Sequence, residues 1–328
     1  MINGYQLETE LKTDNSGFSK WGFAVKGGER YFIKEFLAPV YPIYTDVLSK
    51  EQMENKRKIC REYEQKMRLF YREINECSDG NIVKIEEFFR CGSKYYITTQ
   101  QIPQMSWRQL CNLEQEKKIM LCRILIHSLV KLHERGIVHG DIKKNNVLFK
   151  WTEKGSVTAK LIDFDAGFWE TAPPAPTEEI HGDMVYMAPE TFRMMCEEEG
   201  RLTKAIDVYA MGLLFHEILV GKLPEFDRDK YEYPFEAFLN GDTVRCEDMV
   251  PTGMKRMIAN MLEPDPKKRI TAERILQMFG AGKEEKTAER KAEQLISTMG
   301  RKSISVEERE EKTRENGKKN AFQKLGDL

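Results

Sequence analysis

The run His139-Gly140-Asp141-Ile142-Lys143-Lys144-Asn145-Asn146, with Asp163-Phe164-Asp165 starting seventeen residues after Asn146, gathers an acid, a lysine, an amide and a second acid. That set suits phosphoryl transfer from a metal-bound nucleotide. Such transfer needs little covalent help; it needs a nucleophile held in line and positive charge on the phosphate oxygens. Asp141 can accept a hydrogen bond from an attacking hydroxyl, and Lys143 brings a positive charge two positions on. Asn146 and Asp163 offer the hard oxygen donors that magnesium prefers.

The surrounding elements must place these groups. Val147-Leu148-Phe149 and Ala159-Lys160-Leu161-Ile162 read as two short strands of a hairpin, with Asn146 and Asp163 at their ends. Upstream, Phe23-Ala24-Val25-Lys26, Gly27-Gly28 and Tyr31-Phe32-Ile33-Lys34 predict a tight β-hairpin that closes on Lys34. The prolines of Leu37-Ala38-Pro39-Val40-Tyr41-Pro42 exclude a helix interior there. Ser49 to Cys77 predicts a long charged helix with an apolar stripe of Ile59, Tyr63, Met67, Phe70 and Ile74. Strands are expected at Ile82 to Ile85 and Tyr95 to Thr99. A helix from Leu113 to Arg135 should stop at Gly136. Further helices are expected at Ala205 to Val220, which is apolar all round, at Lys255 to Leu262 and at Thr271 to Phe279.

A chain of 328 residues, 41% hydrophobic, has room for two lobes, or for one domain and a tail. A formal charge of -1 gives no general electrostatic case for nucleic acid or an anionic membrane. No run approaches the roughly twenty apolar residues of a spanning helix. Met1 to Tyr5 has neither the basic nor the apolar part of a secretory leader, so none is expected. Seven scattered cysteines without a C-x-x-C pair point to reduced thiols in the cytoplasm and away from a zinc site. His139 is expected to be a packed core histidine that positions the loop. From Gly282 the chain is charged and poor in aromatics; this tail should be helical or disordered, solvated or docked on a partner.

The order H-x-D-x-K-x-x-N followed by D-F-x resembles the catalytic and metal-binding loops of the protein kinase superfamily. The resemblance covers residues 7 to 280 and implies an α+β, two-lobed fold: a small antiparallel-sheet lobe over 1–102, a larger helical lobe over 103–281, and the tail over 282–328. It implies ATP and magnesium, with Lys34 on the phosphates and Asn146 and Asp163 on the metal. The helix acid that holds Lys34 would be Glu62, Glu64 or Glu73; Glu64 shares a face with Met67, Tyr71 and Ile74 and is favoured. Gly17, Ser19, Gly22 and Ala24 are similar to the glycine loop over the phosphates, with Ser19 in place of its middle glycine. Thr99, Gln101, Ile102 and Leu148 would line the adenine site, with backbone hydrogen bonds from Gln101 and Ile102.

Three departures stand out. Phe32 replaces the usual alanine beside adenine, and Asp165 replaces the glycine of D-F-G. Gly140 replaces the arginine that pairs with an activation-segment phosphate, so activity should not depend on phosphorylation of Thr171 or Thr177. H-G-D and D-F-D also resemble small-molecule kinases of the aminoglycoside and choline type. Against that, Tyr186-Met187-Ala188-Pro189-Glu190 resembles the A-P-E segment of protein kinases. Asp207-Val208-Tyr209-Ala210-Met211-Gly212 resembles the buried helix whose aspartate caps the catalytic loop, and Glu263 to Arg269 resembles the segment whose arginine would pair with Glu190. Lys143 is similar to the lysine of the serine/threonine class, so a protein substrate is expected, as in the eukaryotic-like kinases of bacteria. A pseudokinase scaffold, suggested by Ser19, Phe32 and Asp165, is the other alternative.

Overall fold

The computed structural model describes residues 1–13, 19–43, 48–175, 182–196 and 200–280. The expectations for Gly17, Thr177 and the tail from 282 fall outside them. Among the described residues no helix is long and apolar enough to cross a membrane.

The chain forms a two-lobed α+β structure. The first lobe is built on an antiparallel sheet of β1 (Gln6–Leu7), β2 (Ser19–Lys26), β3 (Glu29–Phe36), β4 (Glu87–Cys91) and β5 (Lys94–Gln100), in the order β1-β2-β3-β5-β4. The hairpin turn is Gly27-Gly28, with φ of 61° and 84°. Two glycines take successive positive φ values at no steric cost, so the turn fixes the register: Lys26 opposite Glu29, and therefore Trp21 opposite Lys34. One face of this sheet is closed by the N-terminal residues, where Tyr5, Ala24, Ile33 and Tyr96 form a buried cluster. The other face carries Trp21, Phe23, Phe32 and Lys34, since opposed residues of a ladder share a face.

Helix α1 (Lys50–Cys77) starts in a reciprocal capping box between Ser49 and Gln52. It buries Cys60, Phe70, Tyr71, Ile74 and Cys77. Ile59, counted into the expected stripe, is instead 51% exposed, because the buried face turns through Cys60 at that end. The strand expected at 82–85 reduces to a single bridge, Ile82 to Leu161; the neighbouring strand is β4, paired with β5.

The second lobe is helical: α2 (Trp107–Cys111), α3 (Gln115–Glu134), α4 (Pro189–Met195), α5 (Ala205–Val220), α6 (Pro234–Leu239) and α7 (Thr252–Met261). Helix α5 is buried from Ile206 to Leu219, as a helix apolar on every side must be, and it stops at Gly221 with φ 86°. Two small two-stranded sheets pack on α3. Strands β6 (Ile137–Val138) and β9 (Phe168–Trp169) pair, as do β7 (Val147–Trp151) and β8 (Val157–Leu161). The loops after β6 and β8 are thereby brought together.

Candidate active site

The loop after β6 is fixed from below by α5. Asp207, 1% exposed, accepts the backbone N–H of His139 at 2.8 Å and of Gly140 at 2.9 Å, and meets His133 Nε2 at 3.0 Å. His139 is fully buried, with Nε2 3.1 Å from the Ile162 carbonyl and its ring 4.8 Å from Phe164. It is a packing group that ties the two functional loops together. Gly140 has φ 79°, and a Cβ there would lie 2.4 Å from the Ala166 carbonyl oxygen. The glycine at the arginine position is therefore required by the close passage of the segment after Asp165.

Asp141 is the hub of the loop. Lys143 Nζ lies 2.8 Å from Asp141 Oδ2. Asn146 Nδ2 donates to Asp141 Oδ2 and to its carbonyl, both at 2.8 Å. The backbone N–H of Asp183 donates to Asp141 Oδ1 at 3.2 Å, and the Asp183 carboxylate lies 3.9 Å from Lys143. Because the amide hydrogens of Asn146 are committed to Asp141, its oxygen is the end left to act as a ligand. Asp163 sits after β8 with φ 63°, a left-handed conformation that costs a non-glycine residue of order 1–3 kcal/mol and is held by its surroundings. An amide oxygen and a carboxylate fit magnesium, which commonly takes one or two carboxylates and completes its shell with substrate phosphates and water.

Lys34 enters from β3. It is 4% exposed, and its Nζ donates to Asp163 Oδ1 at 2.8 Å, Asp163 Oδ2 at 2.9 Å and Asp165 Oδ2 at 2.9 Å. Burial works against its charge, but Asp165 and Asp163 outweigh burial and hold the ammonium well above the usual lysine range. Burial opposes the Asp163 charge too, yet Lys34 keeps its pKa low, whereas burial and the Asp163 charge push Asp165 up to about 6.

The expected Lys34–Glu64 pair is not formed. Glu64 accepts from Tyr95 Oη at 2.8 Å and lies 3.6 Å from Arg90, so α1 turns it toward β4 and β5. The other two candidates are also engaged elsewhere: Glu62 lies 3.9 Å from Lys58, and Glu73 meets Arg135 at 2.7 Å.

The nucleotide-facing strand residues also need correction. Gly22 and Ala24 lie on the face of β2 opposite to Lys34. A Cβ at Gly22 would meet Leu11 at 3.0 Å, and Ala24 is fully buried in the Tyr5–Ile33 cluster. Phe23 opposes Phe32 and Trp21 opposes Lys34, so these rings occupy the positions assigned to Gly22 and Ala24. Trp21 and Phe32 stack at 5.9 Å, with Phe23 edge-on to Phe32 at 6.1 Å. Ser19 is buried opposite Phe36. Thr99 opposes Phe32 and shares the Lys34 face. The Gln101 N–H donates to the Arg30 carbonyl at 3.0 Å, so that donor is already used within the sheet. Leu148 is half-buried on β7, two residues after Asn146.

Downstream, the segment 182–190 is anchored at two points that spacing alone left unassigned or only proposed. Arg269 grips Glu190 in a bidentate pair, at 2.5 Å and 2.9 Å, and also donates to the Ala205 and Glu263 carbonyls. Tyr186 donates its hydroxyl to Glu217, whose other oxygen lies 3.7 Å from Lys144. Glu217 and Asp183 were not foreseen: one is an acid inside an apolar helix, the other an isolated acid before Tyr186, and neither forms a motif.

The protein kinase domain family matches residues 47–279, which is most of the chain. The chain belongs to the protein kinase family. Among relatives of this kinase, mouse serine/threonine-protein kinase DCLK3 is 29% identical over 216 residues, 62% of this chain and 26% of that protein. Calcium-dependent protein kinase 2 of Arabidopsis thaliana is 30% identical over 165 residues, 49% of this chain and 24% of the other. The chain thus spans about a quarter of the length of those two relatives. The structure of the Cydia pomonella granulovirus kinase PK-1 superimposes with a TM-score of 0.58 over 84% of this chain and 94% of that one, at 17% identity, and so shares the fold. The family match begins after β3. Asp141, Asn146, Asp163 and Asp207 fall within it, while Lys34 is tied to the site by its hydrogen bonds to Asp163.

Proposed function

We propose that this kinase transfers the γ-phosphoryl group of ATP, with magnesium, to serine or threonine hydroxyls of a protein substrate. The observation that carries the reading is the hydrogen-bonded row of Lys143, Asp141 and Asn146, tied by the Ile162 N–H to Asn146 carbonyl bond to the loop in which Asp163 pairs with Lys34. Asp141 orients the substrate hydroxyl and accepts its proton. Lys143 stabilises charge on the moving phosphoryl group, and Lys34 anchors the other phosphates. Asn146 and Asp163 would hold magnesium, which when bound neutralises charge on the phosphate oxygens. Thr99, Ile102 and Leu148 face the base, with the lobe boundary at 102/103. Trp21, Phe23 and Phe32 supply an aromatic surface in place of the glycine-lined one. A protein substrate is favoured over a sugar or aminoglycoside by the Glu190–Arg269 anchor, which holds a docking segment beside Asp141. Seven free cysteines, three of them buried, are in keeping with a cytoplasmic setting.

The cluster of Trp21, Phe23 and Phe32 also favours a second reading, a scaffold whose nucleotide site is filled by its own side chains. Thermal midpoints with ATP and magnesium, against ATP and chelator, separate the two. A metal-dependent rise, with labelled phosphate passing to a basic protein and not to choline, sugar or aminoglycoside panels, supports the transferase. No rise and no transfer supports the scaffold.

A further inference from the structure

A lysine buried to 4% exposure needs an acid from outside its own strand, because an unpaired buried ammonium is strongly destabilising. In protein kinases that acid is supplied by the helix that follows, which lets the position of the helix control the site. Here α1 supplies none. Glu62, Glu64 and Glu73 have other partners, and Glu54 is held by Arg61 at 2.6 Å. On α1, burial first and then the Asp165 charge push the hydroxyls of Tyr63 and Tyr71 up. The acid within reach comes from the D-F-D turn.

We propose that Asp165 is the positioning residue for Lys34, taking the place of the helix glutamate from within the metal-binding loop. This rests on the nucleotide reading given above. Asp163 cannot fill the post alone, since it is also the candidate metal ligand, and a cation on its carboxylate competes with the ammonium. Asp165 lies 2.9 Å from Lys34 Nζ and is not one of the candidate metal ligands. Its presence where a D-F-G turn has glycine is then a requirement, not a tolerated substitution. A second consequence is that the setting of Lys34 depends on the loop and not on the placement of α1.

The test compares wild type with Asp165→Asn, Asp165→Gly and Glu64→Gln. Calorimetry gives the Kd for ADP with magnesium, and steady-state assays give kcat and KM for ATP. Losing one charge-assisted hydrogen bond to Lys34 should weaken ADP binding about tenfold in both Asp165 variants and raise KM for ATP in step. Glu64→Gln should stay within about twofold on both scales. A purely structural role would lower thermal midpoints and leave the Kd of the folded protein unchanged, which overturns the proposal. It is equally overturned if Asp165→Gly binds ADP as well as wild type or better, or if Glu64→Gln reproduces the loss. Should wild type itself fail to bind ADP, the nucleotide reading falls as well, so the two failures are distinct.

Discussion

The backbone N–H of Gly140 donates to Oδ1 of Asp207 at 2.9 Å, joining residues 67 apart in sequence. The neighbouring His139 N–H takes the other oxygen, so one buried carboxylate on α5 satisfies two loop donors at once. Asp207→Asn would turn an NH2 toward one of those donors and leave it without an acceptor. The expected cost is about 1–3 kcal/mol of stability. Misplacement of Asp141 by a fraction of an ångström to an ångström should lower turnover on the order of a hundredfold. Urea midpoints together with turnover check both.

Gly140→Ala tests the passage of the segment over the loop. The added methyl meets the Ala166 carbonyl at 2.4 Å on a backbone at φ 79°, so both sterics and conformation oppose it. A loss of about 1–3 kcal/mol is expected from the conformation alone, with turnover falling further than stability. A fully stable and active Gly140→Arg protein would contradict the geometry.

Arg269→Lys keeps the charge but loses the fork that grips both Glu190 oxygens and the carbonyls of Ala205 and Glu263. Arg269→Ala should cost about 3–5 kcal/mol, because Glu190 is left largely buried without a partner. Lysine should recover only part of that. Thermal or urea unfolding of the pair of variants measures it.

His216 carries a pH dependence. Its Nδ1 lies 2.7 Å from the Lys222 carbonyl and must donate, while Nε2 accepts the Glu247 N–H at 3.1 Å, so the ring is held neutral. Burial lowers its pKa in the folded state, against opposing help from that carbonyl and the Glu247 charge. Below the unfolded value of about 6.5 the unfolded chain binds the extra proton first, so the stability contribution is complete above that pH and is lost as pH falls below it. The slope should be at most about 1.4 kcal/mol per pH unit. Urea midpoints from pH 7.5 to 5.5 should fall more steeply for wild type than for His216→Gln.

The sequence made the catalytic loop legible because its parts are local: Asp141, Lys143 and Asn146 lie within six residues, and two apolar runs bracket them. Glu190 with Arg269, and Asp207 beneath the loop, were legible because their residue types have few other uses in apolar surroundings. Strand face was not legible from glycine spacing. Gly22 and Ala24 match a glycine-loop pattern, yet the Gly27-Gly28 turn pairs Lys26 with Glu29 and so puts Trp21 and Phe23 on the Lys34 face. Counting back from that turn would have found them. Helix rotation was hidden for a different reason: α1 carries acids all round, and its setting comes from Phe70, Tyr71 and Ile74 packing against the sheet and α3. Helices α2, α4 and α6 are 5, 7 and 6 residues long, too short to show a period of 3.6.

The most direct measurement is phosphate transfer by wild type and Asp141→Asn under the same magnesium and ATP. Asparagine keeps the shape of the hub but cannot accept the hydroxyl proton, so transfer to serine or threonine of a protein substrate should fall by about 10²–10⁴ while ADP binding persists. Equal transfer by the two proteins would contradict the account, as would labelling of wild type that survives only on a small-molecule acceptor.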